Sequence, residues 1–241
     1  VNVSAAHNRN KITKISNFMK KRNEEVIKKA EEENQSAPVI LYEEGRSLTD
    51  IYAVRSLGID PATGNELYLT KQGLTTFTYN SFDQVAVGNT RPDLEGIIGT
   101  SLTYKNLTFS ANFRYKIGGQ IYNSTLVDRV ENADLYGNVD RRIYDDRWRK
   151  EGDQSLYKSI FDKTTTRPTS RFVQDENVFT CESVSLGYDI KHKGILRTLG
   201  MERLRVNAYM NDIMRLSTVR QERGINYPFA NRIAFSLSAT F

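Results

Sequence analysis

Strict alternation of apolar and polar residues is the clearest pattern in this chain, and it is most regular at the C-terminal end. From 233 to 241 every second residue is apolar, and these positions are Ile233, Phe235, Leu237, Ala239 and Phe241. The residues between them are small and mostly hydroxylated, namely Ala234, Ser236, Ser238 and Thr240. A period of two predicts a β-strand with one apolar face.

A second alternating region flanks Lys105 and Asn106 and predicts a β-hairpin. A two-residue loop places its flanking residues opposite each other and on the same side of the sheet. The loop therefore predicts four cross-strand pairs, which are Tyr104 with Leu107, Leu102 with Phe109, Ile98 with Phe113, and Gly96 with Tyr115. All four pairs fall on the apolar face. The opposite face carries Asn112, Arg114 and Lys116, which suit a wet surface better than the core of a β-sandwich.

The lengths of the alternating segments indicate strands that cross a membrane. About ten residues at about 3.3 Å each, tilted by about 45°, cover about 23 Å, close to the apolar band of about 25 Å on a membrane barrel. The segments 183–190 and 203–212 alternate in the same way. We therefore predict an all-β fold, a transmembrane antiparallel β-barrel. Its lipid-facing side chains would include Leu102, Phe109, Phe113, Tyr115, Leu186, Val206, Phe235 and Leu237.

The connections between the predicted strands differ greatly in length. A charged stretch at 16–46 begins with helix formers and predicts an excursion that contains a short helix. Farther along, two connections are long and two are short: 118–181 and 213–230 against 105–106 and 191–202. Barrels place long loops outside the cell, and short turns and the C-terminus in the periplasm. When the strands are counted back from Phe241 at the periplasmic end, each long connection falls on the extracellular side and each short one falls on the periplasmic side.

Composition narrows the function classes without excluding a membrane location. The chain has 241 residues, 39% of them hydrophobic, and its mean hydropathy is −0.54. No apolar stretch is long enough for a membrane-spanning helix, but barrel strands are apolar only at every second position. The net charge of +5 comes from basic residues spread among acidic ones, whereas a nucleic-acid partner needs a clustered basic surface. We therefore expect no nucleic acid.

The sequence shows no arrangement that predicts catalysis, a cofactor or a metal site. His7 and His192 are far apart and lie in polar surroundings. Acidic residues occur between 134 and 146, but they lack the glycine and ligand spacing of a calcium loop. The single cysteine, Cys181, cannot form an internal disulfide and says little about compartment. We predict a protein that is not an enzyme.

The beginning of the chain suggests a piece of a longer protein. The first residue is Val1, no signal peptide opens the chain, and 1–15 already has an uneven strand pattern. A signal peptide would need an apolar segment behind a basic start. We therefore expect further sequence upstream of this segment.

Eight short segments, spread over almost the whole chain, resemble one known family when taken together. They are 47–64 (SLTDIYAVRSLGIDPATG), 87–93 (VGNTRPD), 118–123 (GGQIYN), 145–148 (DDRW), 169–175 (TSRFVQD), 183–188 (SVSLGY), 211–212 (ND) and 235–241 (FSLSATF). Each is weak alone, but the combination is specific. The chain resembles the C-terminal part of SusC/RagA-type TonB-dependent outer-membrane transporters of Bacteroidetes.

The resemblance implies a barrel of about 22 strands that is filled by an N-terminal plug. It also implies a SusD-like surface lipoprotein as a lid, energy from the TonB complex, and an oligosaccharide or peptide as cargo. Residues 1–241 would form the C-terminal segment of the barrel, without the plug and the TonB-binding segment. The whole protein would lie in the bacterial outer membrane, in contact with lipid. Phe241 resembles the terminal aromatic signal that the barrel-assembly machinery reads.

Aromatic residues in the predicted 118–181 loop are the best candidates for contact with the cargo or the lid. Aromatic rings pack on apolar faces of ligands and are enriched at interfaces. The candidates are Tyr122, Tyr136, Tyr144, Trp148, Tyr157 and Phe161. The alternative is that these rings attach the loop to the barrel rim.

Two other functions stay open on the sequence alone. One is a soluble β-sandwich that binds carbohydrate or protein, with its apolar faces inward. The other is a passive porin-like channel. Dependence on detergent separates the first from a membrane protein, and a plug with a TonB-binding motif upstream would exclude the second.

Overall fold

The computed structural model describes residues 1–137, 139–198, 200–220 and 231–241, and the chain divides into two compact units. The first, which we call the sheet unit, comprises Val1–Asn8, Pro92–Gly119 and Glu176–Phe241. The second, the insert unit, comprises Arg9–Arg91 and Gln120–Asp175. The insert unit therefore consists of two long connections between strands of the sheet.

Most of the regular structure in the described residues is β-strand. The strands are β1 (Asn2–Ala6), β2 (Asp50–Ala53), β3 (Arg55–Ile59), β4 (Glu66–Leu69), β5 (Thr75–Thr76), β6 (Val85–Asn89), β7 (Leu94–Tyr104), β8 (Leu107–Tyr122), β9 (Val173–Ile190), β10 (Arg203–Ser217) and β11 (Ile233–Thr240). The α-helices are α1 (Asn17–Glu32) and α2 (Lys193–Thr198). Within the described ranges, no helix is both long and apolar enough to cross a membrane.

The sheet unit holds a six-stranded sheet in the order β1-β7-β8-β9-β10-β11. In the hairpin of β7 and β8, the observed pairs are Tyr104 with Leu107, Leu102 with Phe109, Ile98 with Phe113, and Gly96 with Tyr115. The predicted register is confirmed, because a two-residue turn leaves only this pairing. Lys105 adopts the left-handed backbone conformation, with φ of 53°, that such turns require.

The same face continues across the remaining strands of the sheet. Leu186 of β9 lies opposite Ala208 of β10, and Ala208 lies opposite Phe235 of β11. In the neighbouring row, Tyr188 pairs with Val206 and Val206 pairs with Leu237. The register between β9 and β10 shifts between Asn211 and Met214, and Asp212 has a φ of 51°. Such a bulge bends the strand locally.

The predicted loop at 118–181 was too long, because strands extend into it from both sides. Strand β8 continues to Tyr122 and β9 begins at Val173, so the connection runs only from 123 to 172. The pairing between strands is made by backbone N–H and C=O groups and needs no alternating side chains. Strand β8 can therefore continue beyond Ile117, where the alternating apolar pattern ends.

Two other predicted boundaries also need correction. Strand β10 continues to Ser217, so the loop predicted at 213–230 begins at 218, and its part from 221 to 230 lies outside the described residues. The uneven strand predicted for 1–15 ends at Ala6.

All long connections leave the sheet from the same end. Ala6, at the end of β1, lies opposite Glu95 at the start of β7, and Leu94 lies opposite Ile117 toward the end of β8. Ser217 pairs with Val178 near the start of β9. The short links 105–106 and 191–202 lie at the other end. The sequence did not settle how many strands the connection from β1 to β7 contains. In the structure this connection leaves the sheet from the same end as the later long connections.

Helix α1 lies within the charged stretch predicted at 16–46. The Ser16 hydroxyl accepts a hydrogen bond from the Met19 backbone N–H at 3.3 Å and caps the helix. Ile27 and Ala30 are the buried positions of this helix. The stretch therefore contains a helix that is packed on one side and solvated on the other.

The insert unit has its own apolar interior. One cluster of buried side chains contains Leu126, Val127, Val130, Ile143, Tyr157 and Phe172. A second contains Ile27, Leu41 and Tyr52. Around them lie a two-stranded sheet of β2 and β6 and a three-stranded sheet in the order β3-β4-β5. A parallel bridge from Val54 to Thr169 joins the first connection to the second.

Candidate functional site

The two faces of the six-stranded sheet have opposite chemistry. On the apolar face, Phe235 is 75% exposed, Leu237 is 68% exposed and Leu102 is 64% exposed. Leu186 is also exposed. The other predicted lipid-facing residues are partly exposed: Phe109, Phe113, Tyr115 and Val206. A contiguous exposed apolar surface of this kind marks contact with a partner or a membrane.

The opposite face of the sheet carries hydrogen-bonded polar side chains. The hydroxyls of Ser110 and Ser185 lie 2.6 Å apart, and the Asn112 amide donates to the Ser183 hydroxyl at 3.1 Å. Arg114 forms an ion pair with Glu182. Farther along the sheet, Asn207 donates to Ser236 at 3.3 Å. These groups are satisfied within the sheet and remain compatible with water.

The six aromatic candidates fall into two groups within the insert unit. Tyr157 is buried, and Tyr122 packs against the same cluster while its hydroxyl donates to the Ser36 carbonyl at 2.9 Å. Trp148 donates from Nε1 to the Pro61 carbonyl at 2.9 Å. The remaining three are exposed, with fractions of 93% for Tyr136, 89% for Phe161 and 62% for Tyr144. Tyr136, Tyr144 and Phe161 are therefore the most accessible of the six candidates.

A buried ion cluster joins the two connections of the insert unit. Arg171 donates to both carboxylate oxygens of Glu131 at 2.7 Å, and to Glu66 at 3.1 and 2.7 Å. None of the three side chains is more than 4% exposed. Burial alone would lower the pKa of Arg171, but the two carboxylates raise it well above its usual range. The guanidinium therefore stays charged in the interior.

A second buried arginine, Arg147, binds backbone carbonyls instead of carboxylates. Its guanidinium donates to the carbonyls of Ile143, Lys158, Val130 and Glu131. Burial lowers the pKa of Arg147 below its usual value, against an opposing effect of Glu131. The planar fork of an arginine suits this arrangement, since it presents several donors in fixed directions.

A third arginine, Arg167, connects helix α1 to the second connection. It donates to the Ala30 carbonyl at 2.9 Å and pairs with Glu31 at 3.0 Å. Its guanidinium also lies over the ring of Tyr79, 5.1 Å from the centroid. The sequence did not predict these three arginines as a group, because their partners lie up to 137 residues away.

The described residues provide no catalytic or metal-binding arrangement. His7 binds the Asp93 backbone carbonyl through Nδ1, and His192 is exposed. In the part of the chain that the structure describes, no three His, Cys, Asp or Glu side chains are grouped so that they could hold a metal. A cavity of about 460 Å³ does open in the insert unit, beside Tyr136 and Asp134.

Comparison with known proteins gives similar results for sequence and for fold. No protein-family model matches the chain. In sequence it is similar to a TonB-dependent receptor of Formosa agariphila, with 23% identity over 86% of this chain and 25% of the receptor. In structure it is similar to the RagAB peptide importer in its open-open state, with a TM-score of 0.66, 15% identity, and coverage of 92% of this chain and 23% of that chain.

A second solved structure, of the RagAB peptide transporter, gives a TM-score of 0.59 at 15% identity over 74% of this chain and 20% of that chain. The chain spans 25% of the length of the Formosa agariphila receptor and 23% of the length of the RagAB chain in the open-open state. The similar structures share the fold of this chain, which is consistent with the predicted part of a β-barrel. The sequence similarity to a TonB-dependent receptor and the fold shared with the RagAB structures both agree with the resemblance to SusC/RagA-type transporters that the eight segments indicated.

Proposed function

We propose that this chain is part of an outer-membrane protein that imports a nutrient, an oligosaccharide or a peptide, with energy from the TonB complex. Its sheet forms part of the barrel wall, and its insert unit forms outer loops. A SusD-like lipoprotein covers the barrel as a lid, and the plug belongs to another part of the protein. The named relatives, a TonB-dependent receptor and a peptide importer, support this class of function.

The proposal rests mainly on the two faces of the sheet: the apolar face is exposed and the polar face is hydrogen-bonded, which is the reverse of the arrangement in a soluble protein. Phe235 and Leu237 are largely exposed on one face, while Asn112 and Ser183 bond to each other on the opposite face. In a soluble sandwich the apolar face would be packed against a second sheet. In a membrane barrel the apolar face meets lipid and the polar face lines a wet interior.

The length of β8 supports the same assignment. Its 16 residues at about 3.3 Å each, tilted by about 45°, cover about 37 Å, more than the apolar band of about 25 Å. The surplus follows Ile117, at the end of the sheet from which the long connections leave. We assign that end to the extracellular side and the end that carries Phe241 to the periplasm.

The three exposed aromatic residues are the contact points that we propose for cargo or lid. Tyr136, Tyr144 and Phe161 lie in the connection between β8 and β9, and exposed aromatic residues are enriched at binding interfaces. Phe241 is 77% exposed and is proposed as the signal for the barrel-assembly machinery.

Uptake measurements on cells that carry the full-length protein and its lipoprotein partner test the proposal. We expect labelled peptides or oligosaccharides to enter only when TonB is present. Uptake that continues at an equal rate without TonB would indicate a passive channel and would overturn energised import.

Purification tests the membrane assignment separately. We expect the full-length protein to fractionate with the outer membrane and to need detergent to stay dispersed. A protein that stays soluble and monomeric without detergent would instead support the β-sandwich binding module.

A further inference from the structure

A strongly basic stretch of chain follows the first strand of the sheet. Residues 9–22, which we call the basic segment, contain six lysines and arginines and no aspartate or glutamate. The charge of these six residues alone exceeds the net charge of +5 of the whole chain. Basic and acidic residues are therefore mixed over most of the sequence but not here. The six cations are Arg9, Lys11, Lys14, Lys20, Lys21 and Arg22.

The charge of the basic segment is not neutralised inside the protein. All six cations are exposed and, within the described ranges, none of them forms an ion pair. Arg22 lies over the ring of Tyr42, 5.8 Å from the centroid, a contact that leaves its charge in place. The carboxylate of Glu44 reaches the segment, but it accepts a hydrogen bond from the Ile15 backbone N–H at 3.1 Å. The cations therefore remain available to an anionic partner.

Hydrogen bonds hold the backbone of the basic segment in a defined conformation. The Ile12 N–H donates to the Arg46 carbonyl at 2.9 Å, and the Ile12 carbonyl accepts from the Gly45 N–H at 2.8 Å. The Asn10 side chain accepts a hydrogen bond from the Leu48 N–H at 3.1 Å. The later part of the segment lies in helix α1. A partner would therefore not have to order this part of the chain before binding, which reduces the entropic cost of association.

An exposed aromatic ring lies among the cations of helix α1. Phe18 is 73% exposed and precedes Lys21 and Arg22 by three and four residues. Residues with this spacing share one face of a helix. Helices that lie on a membrane surface combine phenylalanine with lysine and arginine in this way. The composition of this face therefore favours an anionic lipid surface as the partner.

The length of the chain limits how far the first cations can lie from the barrel wall. Arg9 and Lys11 follow the end of β1 at Ala6 by three and five residues, which span at most about 11 and 18 Å. Within the sheet unit, the His7 ring binds the Asp93 backbone carbonyl, next to the start of β7. This is the end of the sheet that we assign to the extracellular side. The first cations therefore stay near the headgroups of the outer leaflet.

We propose that the basic segment binds the phosphate groups of lipid A, the phosphorylated glycolipid of the outer leaflet. The ammonium and guanidinium groups pair with phosphate, and Phe18 enters the apolar layer beneath the headgroups. This inference rests on the proposed function, because it depends on an outer-membrane location with this end of the sheet outside. It concerns the lipid around the barrel and not the cargo, so binding can be measured without transport.

Native mass spectrometry of the full-length protein in a nonionic detergent tests the proposal. The probes are lipid A with its phosphates and dephosphorylated lipid A, titrated separately. We expect tighter binding of the phosphorylated form. Added ammonium acetate should weaken this binding, because salt screens interactions between exposed charges. Millimolar inorganic phosphate should not displace the lipid, since it lacks the acyl chains that Phe18 contacts.

Lys20→Gln/Lys21→Gln is expected to weaken the binding of phosphorylated lipid A by about thirtyfold, which corresponds to about 1 kcal/mol for each lysine near an anionic surface. The matched control is Lys28→Gln/Lys29→Gln, which removes the same charge from the same helix. Lys28 and Lys29 already pair with Glu32 and Glu33, so we expect their loss to leave affinity unchanged.

Protease resistance of the insert unit shows whether each variant is folded. If Lys20→Gln/Lys21→Gln is sensitive to protease, Arg9→Gln/Lys11→Gln repeats the test outside the helix. A similar loss of affinity is expected, because both of its cations are exposed and lie close to the end of β1.

Four kinds of result would overturn the lipid site. They are equal affinity for the two forms of lipid A, displacement of lipid A by inorganic phosphate, affinity in a folded double variant of the basic segment that equals that of the parent or of the control, and tighter binding of an oligonucleotide or polyglutamate than of lipid A. The uptake assay keeps this inference distinct from the proposed function. TonB-dependent uptake without a preference for phosphorylated lipid A contradicts the lipid site alone. A preference that depends on the basic segment, without TonB-dependent uptake, contradicts energised import alone.

Discussion

Arg171 and Glu131 form a two-pronged ion pair in which each carboxylate oxygen lies 2.7 Å from a guanidinium nitrogen. Forty residues of sequence separate them, and the same guanidinium reaches Glu66, 105 residues away. Bidentate pairs of this kind are among the stronger hydrogen-bonded contacts in proteins. The cluster therefore fixes the first connection of the insert unit to the second.

Replacing Arg171 by methionine is expected to destabilise the insert unit strongly. The substitution leaves Glu66 and Glu131 buried without a counterion, and removing one partner of a buried pair costs about 3–5 kcal/mol. Limited proteolysis of the full-length protein should show rapid cleavage within 9–91 or 120–175. Because the sheet is unaffected, the heat-modifiable barrel should persist.

Arg215→Met is the control for this prediction. Arg215 pairs with Glu176 at 2.9 Å, with side chains that are 34% and 23% exposed, and partly exposed pairs contribute about 0–1 kcal/mol. Protease sensitivity that is equal in the two variants would contradict the role assigned to the buried cluster.

Alkaline pH is expected to weaken the insert unit through its buried tyrosines. Burial raises the pKa of Tyr52 and of Tyr79 to about 12, from an ordinary 10.0. Between these values the folded state retains protons that the unfolded state has released, so the free energy of unfolding falls as pH rises from about 10 to about 12. Protease resistance measured across this range should fall, and it should fall less in Tyr79→Phe. An equal loss of protease resistance in the parent and in Tyr79→Phe would contradict the role of Tyr79 in this pH dependence.

Phe109→Arg is expected to impair barrel assembly. Phe109 lies on the apolar face opposite Leu102, close to the 105–106 turn. An arginine on the lipid face costs about 2–4 kcal/mol near the midplane and about 0–1 kcal/mol near the interfaces, so we expect a cost between these values. The measurement is the yield of heat-modifiable barrel on electrophoresis. Thr108→Arg is the control, since Thr108 is the next residue, pairs with Thr103 and projects from the polar face. Equal yields from the two variants would argue against a lipid-facing Phe109.

Gly64→Ala is expected to displace the Trp148 ring. Gly64 has a φ of +74°, and a Cβ there would lie 2.6 Å from two atoms of the indole. The bond from Trp148 Nε1 to the Pro61 carbonyl should break, which tryptophan fluorescence can detect as a difference from a Trp148→Phe reference. Gly73→Ala carries similar backbone strain, with φ of +87°, but has nothing within 4 Å of its Cβ. A fluorescence change of equal size in both variants would assign the effect to strain alone.

The hairpin around Lys105 and Asn106 could be predicted residue by residue, because a short turn and an apolar face specify the same register. The outer ends of the strands could not be predicted from the sequence. Beyond Ile117, β8 includes Gly118, Gly119 and Gln120 and has no apolar face, so the pattern that identifies a membrane strand is missing although backbone pairing continues.

The interior of the insert unit was beyond sequence reasoning for a different reason. Arg147, Arg167 and Arg171 look like solvated charges in the sequence, and only the folded chain brings Glu31, Glu66 and the backbone carbonyls to them. The candidate site shows the same limit. Six aromatic residues were chosen because they lie in a long predicted loop. In the structure Tyr122 and Tyr157 pack in the interior while Tyr136 is exposed, and a single sequence does not show which residues of a loop are buried.

The interleaving of the two connections sets an order on folding. The hairpin of β7 and β8 uses contacts that are close in sequence, whereas Arg167 and Ala30 must meet across 137 residues. Contacts between distant residues form slowly, because the chain between them must first be closed into a loop. The insert unit therefore cannot be completed until 120–175 has been synthesised. We expect the hairpin to act as the early nucleus, with the insert unit as the last part to mature.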